Sequence, residues 1–244
     1  MTVIVTMAGA GSRFRSQGYE VPKHMIRARG KTLFEWSMES LRSFFDQPFV
    51  FACLAEHDHQ WIQEMASGLG IRQVRVAPRA ALSLGQAQTA YDVLLQAAAN
   101  EEVWIYNIDT YIERGLAPSD MADHHGCVHV FESRNPGMSF VRYDEQGRVV
   151  ELAEKKVISQ WATVGVYGFT SAALYRQLYE EAYHAGGVEE VGGERYVAPM
   201  YQLLLRQGKP VCAPKLDLPA VHVLGTPLEV QAFDPMVTPP FGAL

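Results

Sequence analysis

The chain has 244 residues, of which 48% are hydrophobic and 20% are charged, and its formal net charge is −6. This composition is typical of a globular protein with a substantial core. The acidic balance argues against a general surface for nucleic acids or anionic membranes, because both require clustered Lys and Arg. With no membrane-length apolar segment and no signal-peptide pattern in the sequence, we expect one cytoplasmic domain that contacts neither nucleic acid nor membrane.

Apolar runs alternate with helix-like patterns through the first half of the chain. The runs lie at residues 3–7, 49–54, 74–76 and 103–108, and the helical patterns lie at 32–45, 60–69 and 85–99. Thr32 and Glu35 are spaced as a capping box for the first long helix. This alternation predicts a Rossmann-like α/β fold of three layers with a mostly parallel central sheet. Ligands of such sheets bind at the carboxyl ends of the strands.

From about residue 126 the pattern changes to shorter strands. These lie near residues 127–131, 140–143 and 149–152, with turn residues between them. A strand at 163–169, a helix at 171–183, a glycine-rich loop near 186–193 and a helix at 196–207 follow. We expect one continuous domain of two halves, residues 1–125 and residues 126–233, followed by an extended tail at residues 234–244.

The first strand enters a loop of small residues that is suited to binding phosphate. Without large side chains, the backbone N–H groups of such a loop stay open to an anion. Arg13 and Lys23 add positive charge, as a triphosphate requires. Phe14 occupies the third glycine position of a dinucleotide-binding loop, and no Gly-Lys-Ser/Thr of a P-loop is present. A plain strand-to-helix turn is the alternative. The predicted nucleotide-binding residues here are Ala8, Gly9, Ala10, Gly11, Ser12, Arg13 and Lys23.

Asp109 closes the strand at residues 103–108 and would lie at the same edge of the sheet. A carboxylate there can hold Mg²⁺ against the phosphates of a nucleotide. The alternative is that Asp109 caps a helix that follows the strand.

Residues 9–13, Pro22-Lys23 and residues 31–35 together resemble the signature of nucleotidyltransferases with a GT-A-like fold. These enzymes include the sugar-phosphate pyrophosphorylases and the cytidylyltransferases. Residues 7–14, with Gly18-Tyr19 ahead of Pro22-Lys23, are most similar to the members associated with capsule and surface polysaccharides. The resemblance implies that Asp109 binds Mg²⁺. It also implies that Gly85, Gln86 and Ala87 contact the base and ribose, although the same residues could simply begin a helix.

The resemblance further implies that residues 1–125 bind the nucleotide and that residues 126–233 form an acceptor pocket. Lys155 would bind the acceptor's phosphate and Gly165 would approach the acceptor closely. Lys155 and its neighbour Lys156 could instead form a solvated face. The predicted catalytic residues are Arg13, Lys23 and Lys155, and the predicted acceptor-binding residues are Glu154, Lys155, Gly165 and Glu194.

One position departs from the family pattern. Related enzymes often carry a second metal-binding Asp two residues before a Gly-Thr pair, where this chain has Val223. Asp109 and the phosphates could hold Mg²⁺ with water, His222 or Asp217 could replace the missing ligand, or the enzyme could be impaired.

The sequence as a whole predicts an enzyme that transfers a nucleoside monophosphate from an NTP, CTP first, to a small phosphorylated sugar or polyol. Its short length favours a cytidylyltransferase, and a homodimer is compatible with the resemblance. The alternatives are a GT-A glycosyltransferase and a silent nucleotide-binding protein.

Overall fold

The computed structural model of the protein describes residues 1–237, apart from the side chains of residues 119 and 120. Within this part of the chain, nine strands form one central sheet and two pairs of strands form small separate sheets. The α/β class and the Rossmann-like sheet predicted from the sequence are confirmed. No helix among the described residues is long and apolar enough to cross a membrane.

The parallel part of the sheet comes from the first half of the chain, which contains seven strands. They are β1 (Thr2–Met7), β2 (Arg27–Ala28), β3 (Lys31–Thr32), β4 (Pro48–Leu54), β5 (Gln73–Arg79), β6 (Val103–Asn107) and β7 (Thr110–Ile112). Strands β6, β1, β4 and β5 lie side by side, and every pair among these neighbours is parallel.

The second half adds mostly antiparallel strands. These are β8 (Gly126–Glu132), β9 (Ser139–Tyr143), β10 (Val149–Glu154), β11 (Trp161–Phe169), β12 (Val211–Cys212) and β13 (Val221–Val223). β11 pairs antiparallel with β6, which joins the two halves in one sheet. β13 returns to the first half and pairs with β7.

Helices cover both faces of the sheet. They are α1 (Ser12–Arg15), α2 (Leu33–Glu39), α3 (His59–Gly68), α4 (Gln86–Leu94), α5 (Ala172–Tyr179), α6 (Tyr201–Arg206) and α7 (Pro227–Phe233). Successive residues of β1 face opposite sides, as strand geometry requires. Val3 and Val5 enter a core with α2 and α3, while Ile4 enters a second core with α4, α5 and α6. This arrangement provides the three predicted layers.

Helix α2 is shorter than the helix predicted at residues 32–45. The capping box is present, because Thr32 and Glu35 exchange side-chain and backbone hydrogen bonds. The helix ends at Glu39 because Ser40 turns toward β7, where its hydroxyl accepts a hydrogen bond from the Ile112 N–H at 2.9 Å. Of the predicted extended tail, Asp234 to Val237 close a turn, and the other tail residues lie outside the described part of the chain.

Candidate active site

A cavity of about 590 Å³ lies at the carboxyl ends of β1 and β6. Twelve of the residues predicted from the sequence line it, and they come from both halves of the chain. They are Ala8, Gly9, Ala10, Gly11, Ser12, Arg13, Lys23, Gly85, Gln86, Asp109, Lys155 and Glu194. The parallel register brings the glycine loop next to Asp109, since Thr6 of β1 pairs with Asn107 of β6.

The glycine loop presents an open backbone to this cavity. Gly11 has a φ of 62°, a conformation that glycine adopts without strain. No atom lies within 4 Å of the point where a side chain would begin at Gly9 or Gly11, so this space is available to a bulky anion. Phe14 is buried and packs edge-on against Tyr19, with ring centres 5.4 Å apart. Phe14 therefore attaches the glycine loop to the protein interior.

Lys23 and Asp109 form an ion pair at the floor of the cavity. Lys23 Nζ donates to Asp109 Oδ2 at 2.7 Å, and about a quarter of each side chain is exposed, 24% and 25%. Arg13 lines the same cavity, and its side chain makes no ion pair with any residue of 1–237. Lys23 and Arg13 can therefore both reach an anion bound over the glycine loop, provided that Lys23 exchanges its partner.

Asp109 does not cap a helix, because strand β7 follows it directly. Hydrogen bonds hold the backbone on both sides of Asp109. Ser37 of α2 donates to the Ile108 carbonyl at 2.8 Å, and the Tyr106 hydroxyl donates to the Thr110 carbonyl at 2.6 Å. The carboxylate of Asp109 is thus directed into the cavity from a rigid backbone.

Lys155 and Glu194, from the second half of the chain, meet around a residue that the sequence analysis did not predict. The Tyr196 hydroxyl donates to Glu194 and accepts from Lys155 Nζ. Lys155 Nζ also lies 4.5 Å from the centre of the Tyr196 ring. Lys155 has a φ of 50°, which is strained for a residue other than glycine. No sequence signal marks Tyr196, because it becomes part of the site only through the fold.

Three predicted residues do not line the cavity. They are Ala87, Glu154 and Gly165. Ala87 is fully buried, and its N–H donates to the Arg195 carbonyl at 3.0 Å. Glu154 accepts a hydrogen bond from Ser139, and burial raises the pKa of its carboxyl. Neither side chain is exposed in this cavity.

The glycines at positions 85 and 165 make room for protein atoms. A side chain at Gly85 would begin 2.5 Å from the Arg195 carbonyl oxygen, and one at Gly165 would collide with the Asn107 side chain. Their φ angles of 130° and 81° also disfavour any other residue. The resemblance implies that both allow close approach of a ligand, but protein atoms occupy the side-chain position at each. For Gly165, which does not line the cavity, the prediction is wrong, whereas Gly85 still lines the cavity.

Gln86 lies in the cavity, but its side-chain amide already has partners. Its Nε2 donates to Thr6 Oγ1 at 3.1 Å and to the Asn107 side chain. These contacts fix the amide against the ends of β1 and β6. A hydrogen bond from Gln86 to a base must therefore use its carbonyl oxygen or displace one of these partners.

Neither predicted substitute for the second metal ligand is directed at the cavity. His222 Nε2 lies 2.9 Å from Glu113 Oε1, and its ring stacks on Tyr111. Asp217 is exposed and pairs with Arg114 on another part of the surface. Within residues 1–237 no group of three or more His, Cys, Asp or Glu side chains is arranged to hold a metal ion.

Comparison with known proteins identifies the family. No family model and no curated protein matches the chain. Among solved structures, the nucleoside-diphosphate-sugar pyrophosphorylase from Vibrio cholerae RC9 is 31% identical over 96% of this chain and 99% of its own, with a TM-score of 0.86. The chain belongs to the sugar-phosphate nucleotidyltransferase superfamily. It is an enzyme of the nucleotidyltransferase class.

A more distant nucleotidyltransferase shares the fold. The inositol-1-phosphate CTP transferase from T. maritima is 19% identical, with a TM-score of 0.73 over 93% of this chain and 90% of its own. Both comparisons extend over nearly the whole chain, so the two halves around the cavity belong to one shared architecture.

Proposed function

We propose that this nucleotidyltransferase joins a nucleoside monophosphate from an NTP to a small phosphorylated sugar or polyol and releases pyrophosphate. The observation that carries the proposal is the composition of the single cavity. The glycine loop, Arg13, Lys23 and Asp109 line it together with Lys155 and Glu194. A triphosphate and a second phosphorylated molecule can therefore bind face to face.

The reaction needs no general base. The acceptor's phosphate is ionised at neutral pH, so one of its oxygens attacks the α-phosphorus directly. A new bond forms between that oxygen and the α-phosphorus, and the bond from the α-phosphorus to the oxygen bridging it to the β-phosphorus breaks. Pyrophosphate leaves with the electron pair. Catalysis of such a transfer rests on alignment and on charge stabilisation.

In this proposal some charged residues bind the triphosphate and others bind the acceptor. Lys23 leaves Asp109 and, with Arg13 and the loop N–H groups, neutralises the triphosphate and the departing pyrophosphate. Lys155 holds the acceptor's phosphate against the repulsion of the triphosphate, and Glu194 with Tyr196 binds hydroxyl groups of the acceptor. Residues 1–125 then act mainly on the donor and residues 126–233 mainly on the acceptor.

The donor set at Asp109 fits Mg²⁺ that arrives with the nucleotide. Carboxylate and phosphate oxygens are the ligands this hard cation prefers, and it commonly uses only one or two protein carboxylates. Bound there, Mg²⁺ would offset negative charge on the phosphates. Lys23 pairs with the Asp109 carboxylate, so the exchange of Lys23 onto the triphosphate would free this ligand.

We propose CTP as the donor and the supply of a capsule or surface-polysaccharide precursor as the role. The support is the resemblance of residues 7–14 and of Gly18-Tyr19 to the enzymes of that branch. A pyrophosphate-release assay with four NTPs against a panel of sugar and polyol phosphates tests the reaction, the donor and the acceptor together.

The assay needs a matched pair of variants. Asp109→Asn should abolish the release of pyrophosphate, and Asp217→Asn, which alters an exposed acid outside the cavity, should leave it unchanged. Release of a nucleoside diphosphate from nucleotide-sugars instead would indicate a glycosyltransferase. Binding of NTP without turnover on any acceptor would indicate a silent nucleotide-binding protein.

A further inference from the structure

The chain segment that should carry the second metal ligand does lie beside Asp109. Val223 of β13 pairs with Thr110, and the N–H of Leu224 donates to the Asp109 carbonyl at 2.8 Å. The chain then turns at Gly225 and begins helix α7. The segment is therefore in position, although the side chain of Val223 cannot bind a hard cation.

A second carboxylate reaches the same place from α7. A methyl group at Gly225 would lie 3.2 Å from Asp109 Oδ2 and 3.6 Å from Glu229 Oε2. Both carboxylates thus lie close to the position that a side chain at residue 225 would occupy, and the absence of that side chain leaves this position open.

The Glu229 carboxylate has an oxygen with no partner. Its Oε2 is inaccessible to solvent and accepts no hydrogen bond from any residue of 1–237. A buried carboxylate oxygen without a donor is costly, so folded proteins usually supply a partner. A cation between Glu229 and Asp109 would satisfy this oxygen.

Helix capping does not explain Glu229. Thr226 and Glu229 have the same spacing as Thr32 and Glu35, and both threonine hydroxyls accept from the N–H three residues later. Glu35 returns the bond, because its Oε2 accepts from the Thr32 N–H at 2.7 Å. No corresponding bond from the Thr226 N–H to Glu229 is found in the described chain. The buried oxygen of the Glu229 carboxylate therefore has no partner from the cap.

We infer that Glu229 is the second carboxylate ligand of the nucleotide-bound Mg²⁺, in place of the aspartate that Val223 replaces. This inference rests on the proposed function. Two carboxylates, phosphate oxygens and water form a normal coordination set for this ion. His222 and Asp217 are not needed as ligands, in agreement with their pairing elsewhere.

The test measures metal binding without turnover. Mn²⁺ replaces Mg²⁺, and its free concentration is followed by electron paramagnetic resonance in the presence of the NTP that binds most tightly, with no acceptor. Glu229→Gln should weaken the binding of Mn²⁺ to the protein–nucleotide complex about tenfold or more. Asp109→Asn should weaken it as well, and Asp217→Asn should not change it. Gly225→Ala should also weaken binding, because its methyl group enters the space between the carboxylates.

A second pair of variants separates ligation from helix stability. Thr226→Ala removes the cap of α7 and should lower the thermal midpoint while leaving the Mn²⁺ affinity unchanged. Glu229→Gln should not lower the midpoint of the metal-free protein, because the carboxylate oxygen that it alters is unpartnered there. A loss of Mn²⁺ affinity in Thr226→Ala as large as in Glu229→Gln would overturn the inference, since Glu229 would then act only through its helix.

The outcomes distinguish this inference from the proposed function. If Asp109→Asn weakens Mn²⁺ binding and Glu229→Gln matches the unaltered protein, Glu229 is not a ligand and the metal site at Asp109 stands. If neither variant alters Mn²⁺ binding, the metal does not bind at Asp109, and both the inference and the metal-dependent step of the proposed function fail.

Discussion

Replacing Lys23 by Ala should affect catalysis far more than stability. The Lys23–Asp109 pair has a separation of 2.7 Å, and about a quarter of each side chain is exposed. Coulomb attraction at an effective dielectric of about 20 is about 6 kcal/mol for such a pair. Desolvation and side-chain ordering offset most of this, so the net stabilisation of a partly exposed pair is only about 1 kcal/mol.

The catalytic cost of Lys23→Ala should be larger because its charge acts on the triphosphate in the transition state. Loss of one preorganised charge-assisted contact costs about 3 kcal/mol, which corresponds to a fall in kcat/KM of about 100-fold or more. A loss of about 1 kcal/mol in folding free energy lowers the thermal midpoint of a chain of this size by only about 2–4 °C. The two measurements therefore give clearly different magnitudes.

The assay combines steady-state pyrophosphate release with thermal unfolding, and Lys23→Met serves as the control that keeps most of the apolar stem. Both variants should also bind Mn²⁺ more tightly than the unaltered protein when nucleotide is absent, because Asp109 loses its competing cation. A kcat/KM within tenfold of the unaltered enzyme, together with a large fall in the thermal midpoint, would refute the reasoning and make Lys23 a structural residue.

The remaining predictions concern the metal ligand, the acceptor site and a buried histidine. Asp109→Asn should abolish activity together with its Mg²⁺ dependence. It should leave the circular dichroism spectrum unchanged, because the altered side chain is at a partly exposed strand end. Loss of the folded spectrum would assign Asp109 a structural role. Lys155→Ala should raise the KM for the acceptor and lower kcat without changing NTP affinity. The control Lys156→Ala, which alters a residue outside the cavity, should leave the acceptor KM and kcat unchanged. A fall in NTP affinity with an unchanged acceptor KM would place Lys155 at the nucleotide. His24 packs against His57 with its Nε2 unpartnered, and burial, helped by the charges of His57 and Lys23, lowers its pKa to about 3. Because the unfolded chain takes up a proton below about pH 6.5 that the folded protein excludes, stability should fall with decreasing pH by up to about 1.4 kcal/mol per pH unit. His24→Gln should flatten this dependence in urea titrations between about pH 6 and pH 5, and an unchanged slope would show that His24 is protonated in the folded state or does not control it.

The sequence alone predicted the structure correctly where a local pattern is compatible with only one conformation. A buried strand that ends in small residues gives a loop with an open backbone, and the parallel order of β1 and β6 follows from alternating strands and helices. For these reasons the sequence alone predicted that Gly9, Gly11 and Asp109 lie at one edge of the sheet. The capping box of Thr32 and Glu35 was likewise predicted from the sequence, because it depends on contacts within four residues.

Glycines show where local pattern is insufficient. Gly85 and Gly165 each mark a close approach, and the sequence indicates this much. The approaching atoms belong to Arg195 and Asn107, which are 110 and 58 residues away along the chain. A glycine in the sequence indicates that another group approaches the backbone closely, but it does not indicate whether that group belongs to the protein or to a ligand.

The contacts of the acceptor side and of α7 were decided only by the tertiary structure. Tyr196 joins Lys155 to Glu194 because the loop after α5 folds back over β10, and no local spacing encodes that path. Glu229 has the sequence signature of a helix cap, identical in spacing to that of Glu35. Its carboxylate and that of Asp109 both lie near Gly225 because β13 crosses back to pair with β7, a long-range pairing whose free energy comes from packing distant segments together. The sequence determined which residue types are available for phosphate and metal chemistry, and long-range packing decided which of them meet.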